Sequence, residues 1–335
     1  MLNIFDLDGN GDKLAGHYDV ILVDGSHLLH RAMGAFAGLG FLEGEEWIPT
    51  GALYGFVSMS VKCFERWAEP SGCEVIFCWE GGAAERRKIY EDYKGNRRVI
   101  PDDPDEQLKK ELYKKEYFSQ KDALEHLIKI SGMKCCKIMG WEADDALGTL
   151  AKHFSNKDPE ARVAIYSGDG DMHQCVTEKV HVIAGGSGRK RDKVFDIKEV
   201  VAKWGVPPEQ IPALKGLAGD SGDNIPGVSG CGAGWAAKIL TEYGSCKGAV
   251  TAAKKDILTG VYKGKKWKGK SLTPKIASAE EQIYLSEDLA TIRVDLPFEI
   301  KRDEPNKSEV EKFLRYYQIK SVTAGKIIML GDDGN

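Results

Sequence analysis

Four short apolar runs punctuate the first two hundred positions: YDVILVDG (18–25), EVIFCWE (74–80), RVAIYSGDGD (162–171) and VHVIA (180–184). They are continuously apolar rather than alternating, the pattern of strands covered on both faces. Between them, helical stretches run over 50–68, 105–131 and 142–154. Strands alternating with helices predict an α/β fold with a mostly parallel central sheet flanked by helices. Beyond residue 196 the strand signal fades. DIKEVVAKWG, a Gly/Pro-rich stretch at 219–234 and the helical segment AAKILTEYG (236–244) predict a smaller helical unit. The expected division is an irregular tail over 1–17, an α/β domain over 18–200 and a helical annex with a C-terminal extension over 201–335.

Composition narrows the class. With 335 residues, 42% hydrophobic and 29% charged, the chain can bury a core without disulfide or metal staples and is neither disordered nor fibrous. No apolar run approaches the roughly 20 residues of a membrane span, and the first residues do not pattern as a signal peptide. Eight cysteines form no CxxC pair, and adjacent Cys135 and Cys136 read as small core residues. A reduced, cytoplasmic chain is expected, in a host cell's cytoplasm if phage-encoded. The formal charge of −4 argues, on its face, against a nucleic-acid partner.

The acids complicate that. Asp24, Glu80 and the pair Asp169/Asp171 close three of the strand runs. In an open parallel sheet these ends share one edge, where ligands bind. A single strand-end Asp is more often a turn former or helix N-cap, but three on one edge favour a site. WEADDALGTLA adds Glu142, Asp144 and Asp145 at a helix start; Glu142 and Asp145 share one face at i,i+3. Asp220 and Asp223 follow in GLAGDSGDNIPG. Clustered carboxylates raise one another's pKa, and divalent cations relieve this. An all-oxygen donor set suits Mg²⁺ or Mn²⁺, and two such ions can drive phosphodiester hydrolysis.

Basic segments accompany the acids. ERRKIYEDYKGNRR (85–98) carries Arg86, Lys94 and Arg97 with Tyr90 and Tyr93 interleaved. Lys94 and Arg86 are the candidates for holding a scissile phosphate, and Tyr93 either stacks on a base or packs. The helix at 105–131 sets Lys110 and Lys114 on one face, after Pro101 and Pro104, and is either a solvated surface helix or an arch over the site. In NIPGVSGCGAGWAAKIL (224–240), Gly227, Gly230 and Gly232 precede a helix, so backbone N–H groups can approach phosphates. DLDGNGDKLAGH (6–17) imitates a calcium loop, but His17 stands where Glu is required. Basic loops at 185–193 and 263–270 are candidates for DNA backbone contact, with Trp267 stacking or packing.

The blocks VDGSHLLHRA, RRKIYEDYKGNR, EADDALGTLA, SGDGDMHQCV, VPPEQIPALKGLAGDSGDNIPGV and GCGAGWAAKIL, in this order, resemble the 5′-nuclease (flap endonuclease) family. That family occurs as phage exonucleases and as the N-terminal domain of bacterial DNA polymerase I. The resemblance implies a PIN-like (resolvase-like) sheet, a helical arch over about 97–131 and a helix–three-turn–helix over about 212–244. It places Asp24, Glu142, Asp144, Asp145, Asp169, Asp171, Asp220 and Asp223 on the family's metal-site acids. Lys94 falls on the active-site lysine and Arg86 on the basic residue at the arch base. The hairpin would hold K⁺ through the carbonyls of Val228 and Cys231 and grip duplex DNA. Implied too are 5′ flaps and 5′ ends as substrates, RNA primers among them, 5′-phosphate products and a monomeric enzyme. Two positions depart from the family: Glu80 where Asp is usual, and Gly234–Trp235 where a basic residue is common, leaving Lys238 for the phosphate. A PIN-class ribonuclease and a catalytically silent DNA-junction binding module are the alternatives. Setting nine site carboxylates aside turns the formal charge of −4 into +5, so the acidic total does not exclude DNA.

Overall fold

A computed structural model of the chain describes residues 17–98, 100, 102–186, 191–262, 265–268 and 272–332. Nearly all of the predicted tail, with its imitation calcium loop, and parts of both basic loops lie outside the described residues, as do the side chains of 259–271.

In chain order the first half contains β1 (Val20–Asp24), α1 (Gly25–Ala35), β2 (Gly40–Glu43), β3 (Glu46–Pro49), α2 (Gly51–Trp67), β4 (Glu74–Trp79), α3 (Ala84–Ile89), α4 (Pro104–Ser131), β5 (Lys134–Lys137) and α5 (Ala143–Lys157). Then follow β6 (Val163–Tyr166), β7 (Val180–Ala184), β8 (Lys193–Phe195), α6 (Ile197–Trp204), α7 (Ile211–Ala218), α8 (Ala233–Tyr243), α9 (Cys246–Lys254), β9 (Thr259–Tyr262) and β10 (Lys265–Lys268). The chain continues through α10 (Thr273–Ser278), α11 (Glu280–Ala290), β11 (Ile300–Lys301), α12 (Lys307–Tyr316) and α13 (Ala324–Ile328).

Seven strands form the main sheet in the order β11-β5-β4-β1-β6-β7-β8. Its five central strands are parallel, and β8 and β11 run antiparallel at the edges. The continuous apolar runs have the expected cause, because both faces of β1 are covered. Val20 and Leu22 pack with Leu147, Leu150 and the annex residues Leu214 and Leu217. Ile21 and Val23 pack with Leu29, Phe56 and Leu124 on the other side. The four strands and three long helices predicted from the pattern are present, with bounds shifted by a few residues.

Two regions differ from expectation. Cys135 and Cys136 belong to β5, a four-residue strand bounded by lysines whose brevity conceals it. Lys134 is buried there and pairs with Glu74 at 3.0 Å. The second region is the C-terminal extension, whose pattern predicts no strand. After α11 the chain returns to the sheet: β11 pairs with β5, and Val310, Phe313, Leu314 and Ile327 join the core of Leu124 and Leu127. The apolar face of α12 needs a cover, and the inner half of α4 supplies it.

Candidate active site

Asp24 ends β1 and begins α1. Its Oδ1 accepts the backbone N–H of His27 at 2.8 Å and its Oδ2 accepts the Ser167 hydroxyl at 2.9 Å. It is therefore the helix cap of the conservative expectation, held at the carboxyl end of β1. Asp169 follows β6 and accepts the Asp171 N–H at 2.9 Å, a short Asx turn that holds two acids together. Glu80 follows β4 at the open mouth of the site, its backbone N–H bound to the Ser26 hydroxyl at 3.2 Å. At the start of α5, Glu142 and Asp145 form a capping box while Asp144 points toward the strand-end acids. Asp220 and Asp223 come from a tight loop closed by paired backbone bonds between Asp220 and Ile225. Against that loop docks segment 92–97: Lys94, in the left-handed region at φ 54°, donates its N–H to the Asp223 carbonyl at 2.9 Å.

Burial first, and neighbouring charge second, shifts several of these acids. Burial holds the Asp144 carboxyl far above the usual range, and the charges of Asp24, Asp169 and Asp171 add to it. Burial likewise raises Asp24 against the hydrogen bonds it accepts. The Glu80 carboxyl reaches solvent, yet desolvation by the surrounding protein, then Glu142 and Asp24, push it up to about 7. Asp171 is raised by burial although Lys215 opposes this. Burial works against Asp220 too, but there Lys215 wins and the carboxyl sits below its ordinary value.

Cations interleave with these acids. Lys94 Nζ contacts Glu142 Oε1 and lies 3.5 Å from Asp223. Lys215 Nζ contacts Asp171 and lies 2.6 Å from Asp220. Burial alone would depress both ammonium groups, but the facing carboxylates raise them above the usual lysine value. Arg97 reaches Asp223 at 2.6 Å from an exposed position. Lys94, Lys215 and Arg97 thus face the acids of this edge. Among the described residues no three His, Cys, Asp or Glu side chains converge into a ready cation cage. The lysines stand between them instead.

Several expected residues have other surroundings. Arg86 does not face the open site: it is 3% exposed, binds Asp145 through two bonds of 2.5 and 2.8 Å, and donates to the carbonyls of Leu289 and Thr291. Asp145 is fully buried against it. Arg86 and Asp145 are therefore a linchpin between α3, α5 and the segment after α11, one layer behind the reacting edge. Tyr93 is not a base-stacking residue, because it is buried and donates to Glu142 at 2.7 Å and Asp223 at 3.2 Å. Gly227 is required by a close backbone crossing: a Cβ there would lie 2.2 Å from the Ala218 carbonyl. Gly230 and Gly232 are exposed, with Gly230 at φ 86°, and Lys238 lies over the Trp235 ring at 4.6 Å. Lys110 is half-buried, while Lys114 is exposed on the outer half of α4.

Lys215 and Ser167 escaped the sequence reading. A lone lysine inside the apolar helix IPALKGLA is an anomaly, since burying an ammonium requires a partner, and that was the available signal. Nothing in the sequence marks Ser167.

The family model for the 5′-3′ exonuclease N-terminal resolvase-like domain matches residues 19–205, and that for the 5′-3′ exonuclease C-terminal SAM fold matches 206–312. The chain belongs to the 5′-3′ exonuclease family. It is 30% identical over 307 residues to the 5′-3′ exonuclease of Aquifex aeolicus, covering 90% of this chain and 92% of that one. It also matches DNA polymerase I from several bacteria, spanning about a third of their length. Two bacteriophage T5 structures share the fold. The T5 5′-exonuclease with bound zinc has a TM-score of 0.61 at 21% identity, covering 93% of this chain and 99% of that one. The T5 D15 flap endonuclease with DNA and metal ions has a TM-score of 0.60 at 21% identity, covering 92% and 96%. The two matched models correspond to the sheet domain and the helical annex of this chain.

Proposed function

We propose that this 5′-3′ exonuclease is a structure-specific nuclease that cleaves DNA near the 5′ end of flaps and duplexes and leaves 5′-phosphate products. RNA primers and displaced flaps of replication and repair are its natural substrates, and it acts as a monomer. The observation that carries this reading is the approach of carboxylates from β1, β4, β6, α5 and the 220–223 loop to one sheet edge, with the buried Lys215 and the half-buried Lys94 between them.

The donor set fits hard divalent cations. It is all oxygen, and burial first, then neighbouring carboxylates, raises Asp144 and Glu80, a strain that a bound cation would relieve. Asp24, Glu80, Glu142, Asp144, Asp169, Asp171, Asp220 and Asp223 would hold two or more Mg²⁺ or Mn²⁺ ions. Such ions supply an activated water and neutralise the leaving oxygen. The protein's own groups do the rest. Lys94 and Lys215 are released from the acids they now pair with and meet the scissile phosphate. Arg86 holds Glu142 and Asp145 in register without touching substrate. Arg97, Lys110 and Lys114 line the path along the outer half of α4, and the 227–232 hairpin with Lys238 follows the duplex backbone. The relatives named 5′-3′ exonuclease and flap endonuclease, one of them solved with DNA and metal ions, support the substrate class.

The test is cleavage of a 5′-labelled flap in Mg²⁺ and in EDTA by wild type and Asp169→Asn. Asp169 suits this because its side chain is exposed and its loss leaves no buried charge unpaired. Wild type should cut only with Mg²⁺, and Asp169→Asn should lose at least about a hundredfold in rate while still binding the flap. Binding without cleavage by wild type in Mg²⁺ would leave only a junction-binding module. Preference for single-stranded RNA over flaps would point to a ribonuclease.

A further inference from the structure

The hairpin over 226–232 joins α7 to α8, and the carbonyls of Pro226, Gly227, Val228, Ser229 and Gly232 accept donors from this chain. The Ser286 hydroxyl donates to the Pro226 carbonyl at 2.7 Å, and the Gln282 amide donates to the Gly227 carbonyl at 3.1 Å. The Cys231 N–H closes the turn onto the Val228 carbonyl at 2.8 Å. The Lys275 ammonium donates to the Ser229 carbonyl at 3.0 Å. Trp235 and Ala236 donate their N–H groups to the Gly232 carbonyl at 2.8 and 3.0 Å.

Three of these donors come from α10 and α11, which are anchored independently of the hairpin. Leu272 and Ile276 are buried on either side of Lys275, and Ser286 is fully buried. Lys275 itself is exposed, and its Nζ lies 3.6 Å from where a Cβ on Gly230 would stand. A fixed ammonium therefore sits on the outer surface of the turn, where it serves one carbonyl and faces whatever polyanion the turn meets.

A potassium ion held by the carbonyls of Val228 and Cys231 does not fit these surroundings. The adjacent Ser229 carbonyl already holds the Lys275 ammonium, and a free cation would share the loop with a charge of the same sign. We propose that Lys275 replaces the free monovalent cation, so that the hairpin keeps its shape and its positive charge without K⁺. The chemistry is a substitution of a carbonyl-coordinated ion by a tethered ammonium that hydrogen-bonds, which removes the cost of capturing an ion from solution.

The inference rests on the proposed role of the hairpin in holding duplex DNA, and the experiment separates the two. Binding of a 5′-flap duplex in EDTA is compared in potassium chloride and tetramethylammonium chloride at matched ionic strength, for wild type and Lys275→Ala. Thermal melting without DNA is recorded in the same salts. Wild type should bind equally in both salts. Lys275→Ala should bind roughly fivefold more weakly in tetramethylammonium and recover in potassium, with a melting temperature that now responds to potassium. Wild-type affinity or melting that depends on potassium would overturn the proposal, as would a Lys275→Ala protein indistinguishable from wild type in both salts. If wild type binds DNA in neither salt, the DNA role of the hairpin falls. The melting comparison then decides the role of Lys275 on the same criteria.

Discussion

Arg86 shows how little a residue type reveals about its task. The same guanidinium that suits a scissile phosphate is here wholly enclosed by Asp145, Glu142 and two carbonyls. Removing one partner of a buried, hydrogen-bonded pair leaves an uncompensated charge, a loss of about 3–5 kcal/mol. Arg86→Ala should lower the urea midpoint by a corresponding amount, and Arg86→Lys should not restore it, because an ammonium cannot reproduce the forked geometry. An unchanged midpoint in either variant would refute this role. The acids themselves were legible, since their positions after strands and at a helix start define an edge. Lys215 and the burial of Tyr93 were not, because which face of a helix or turn meets the acids depends on how α7 and segment 92–97 dock.

The same residues make a pH prediction. Asp24, Glu80 and Asp144 have raised values in the folded protein, so each favours folding while protonated. That contribution is lost as pH rises from the unfolded value toward the folded one. For Glu80 the interval runs from 4.5 to about 7. Without divalent ions, the melting temperature should fall across that interval. Added Mg²⁺ should raise it more at about pH 8 than at about pH 5.5, because the acids are then ionised and the cation relieves their repulsion. Calorimetry at both pH values checks the sign.

At the scale of elements, α4 is two helices in one. Its outer half exposes Leu108, Leu112 and Phe118, while Gln120, Leu124 and Leu127 are buried in the inner half. Gln120 also accepts the Ala52 N–H at 2.7 Å at the start of α2, where Thr50 provides no side-chain cap. Amides over 105–115 should therefore exchange well before those over 120–130, measured by native-state hydrogen exchange. Equal protection along the helix would contradict the division. The return of the chain through β11, α12 and α13 was invisible in the pattern because these elements are short. It nevertheless buries Val310, Phe313, Leu314, Ile319, Val322, Ile327 and Leu330. At about 1.5–3 kcal/mol for each large side chain, this is comparable to the whole stability of a typical domain, about 5–15 kcal/mol. Ending the chain after residue 305 should yield a protein without a cooperative melting transition. A truncated protein that melts as wild type does would show that the return is dispensable.

Over the whole molecule, a net charge of −4 conceals a division of labour. Without the nine acids assigned to the site from the sequence, the rest of the chain carries a formal charge of +5. The order of apolar runs, the acids that end them and the glycine-rich turn are local properties, and the sequence alone determined them. With them came the parallel sheet, the edge that carries the site and the family to which the chain belongs. The tertiary structure decided which charges face one another. It buried Arg86 behind the acids, placed Lys215 among them, closed Tyr93 away from solvent and set Lys275 on the hairpin. It also carried the last 30 or so residues back onto the sheet. These outcomes depend on contacts between residues far apart in the chain, and no local pattern of hydrophobic and polar positions encodes which distant partner a side chain will meet.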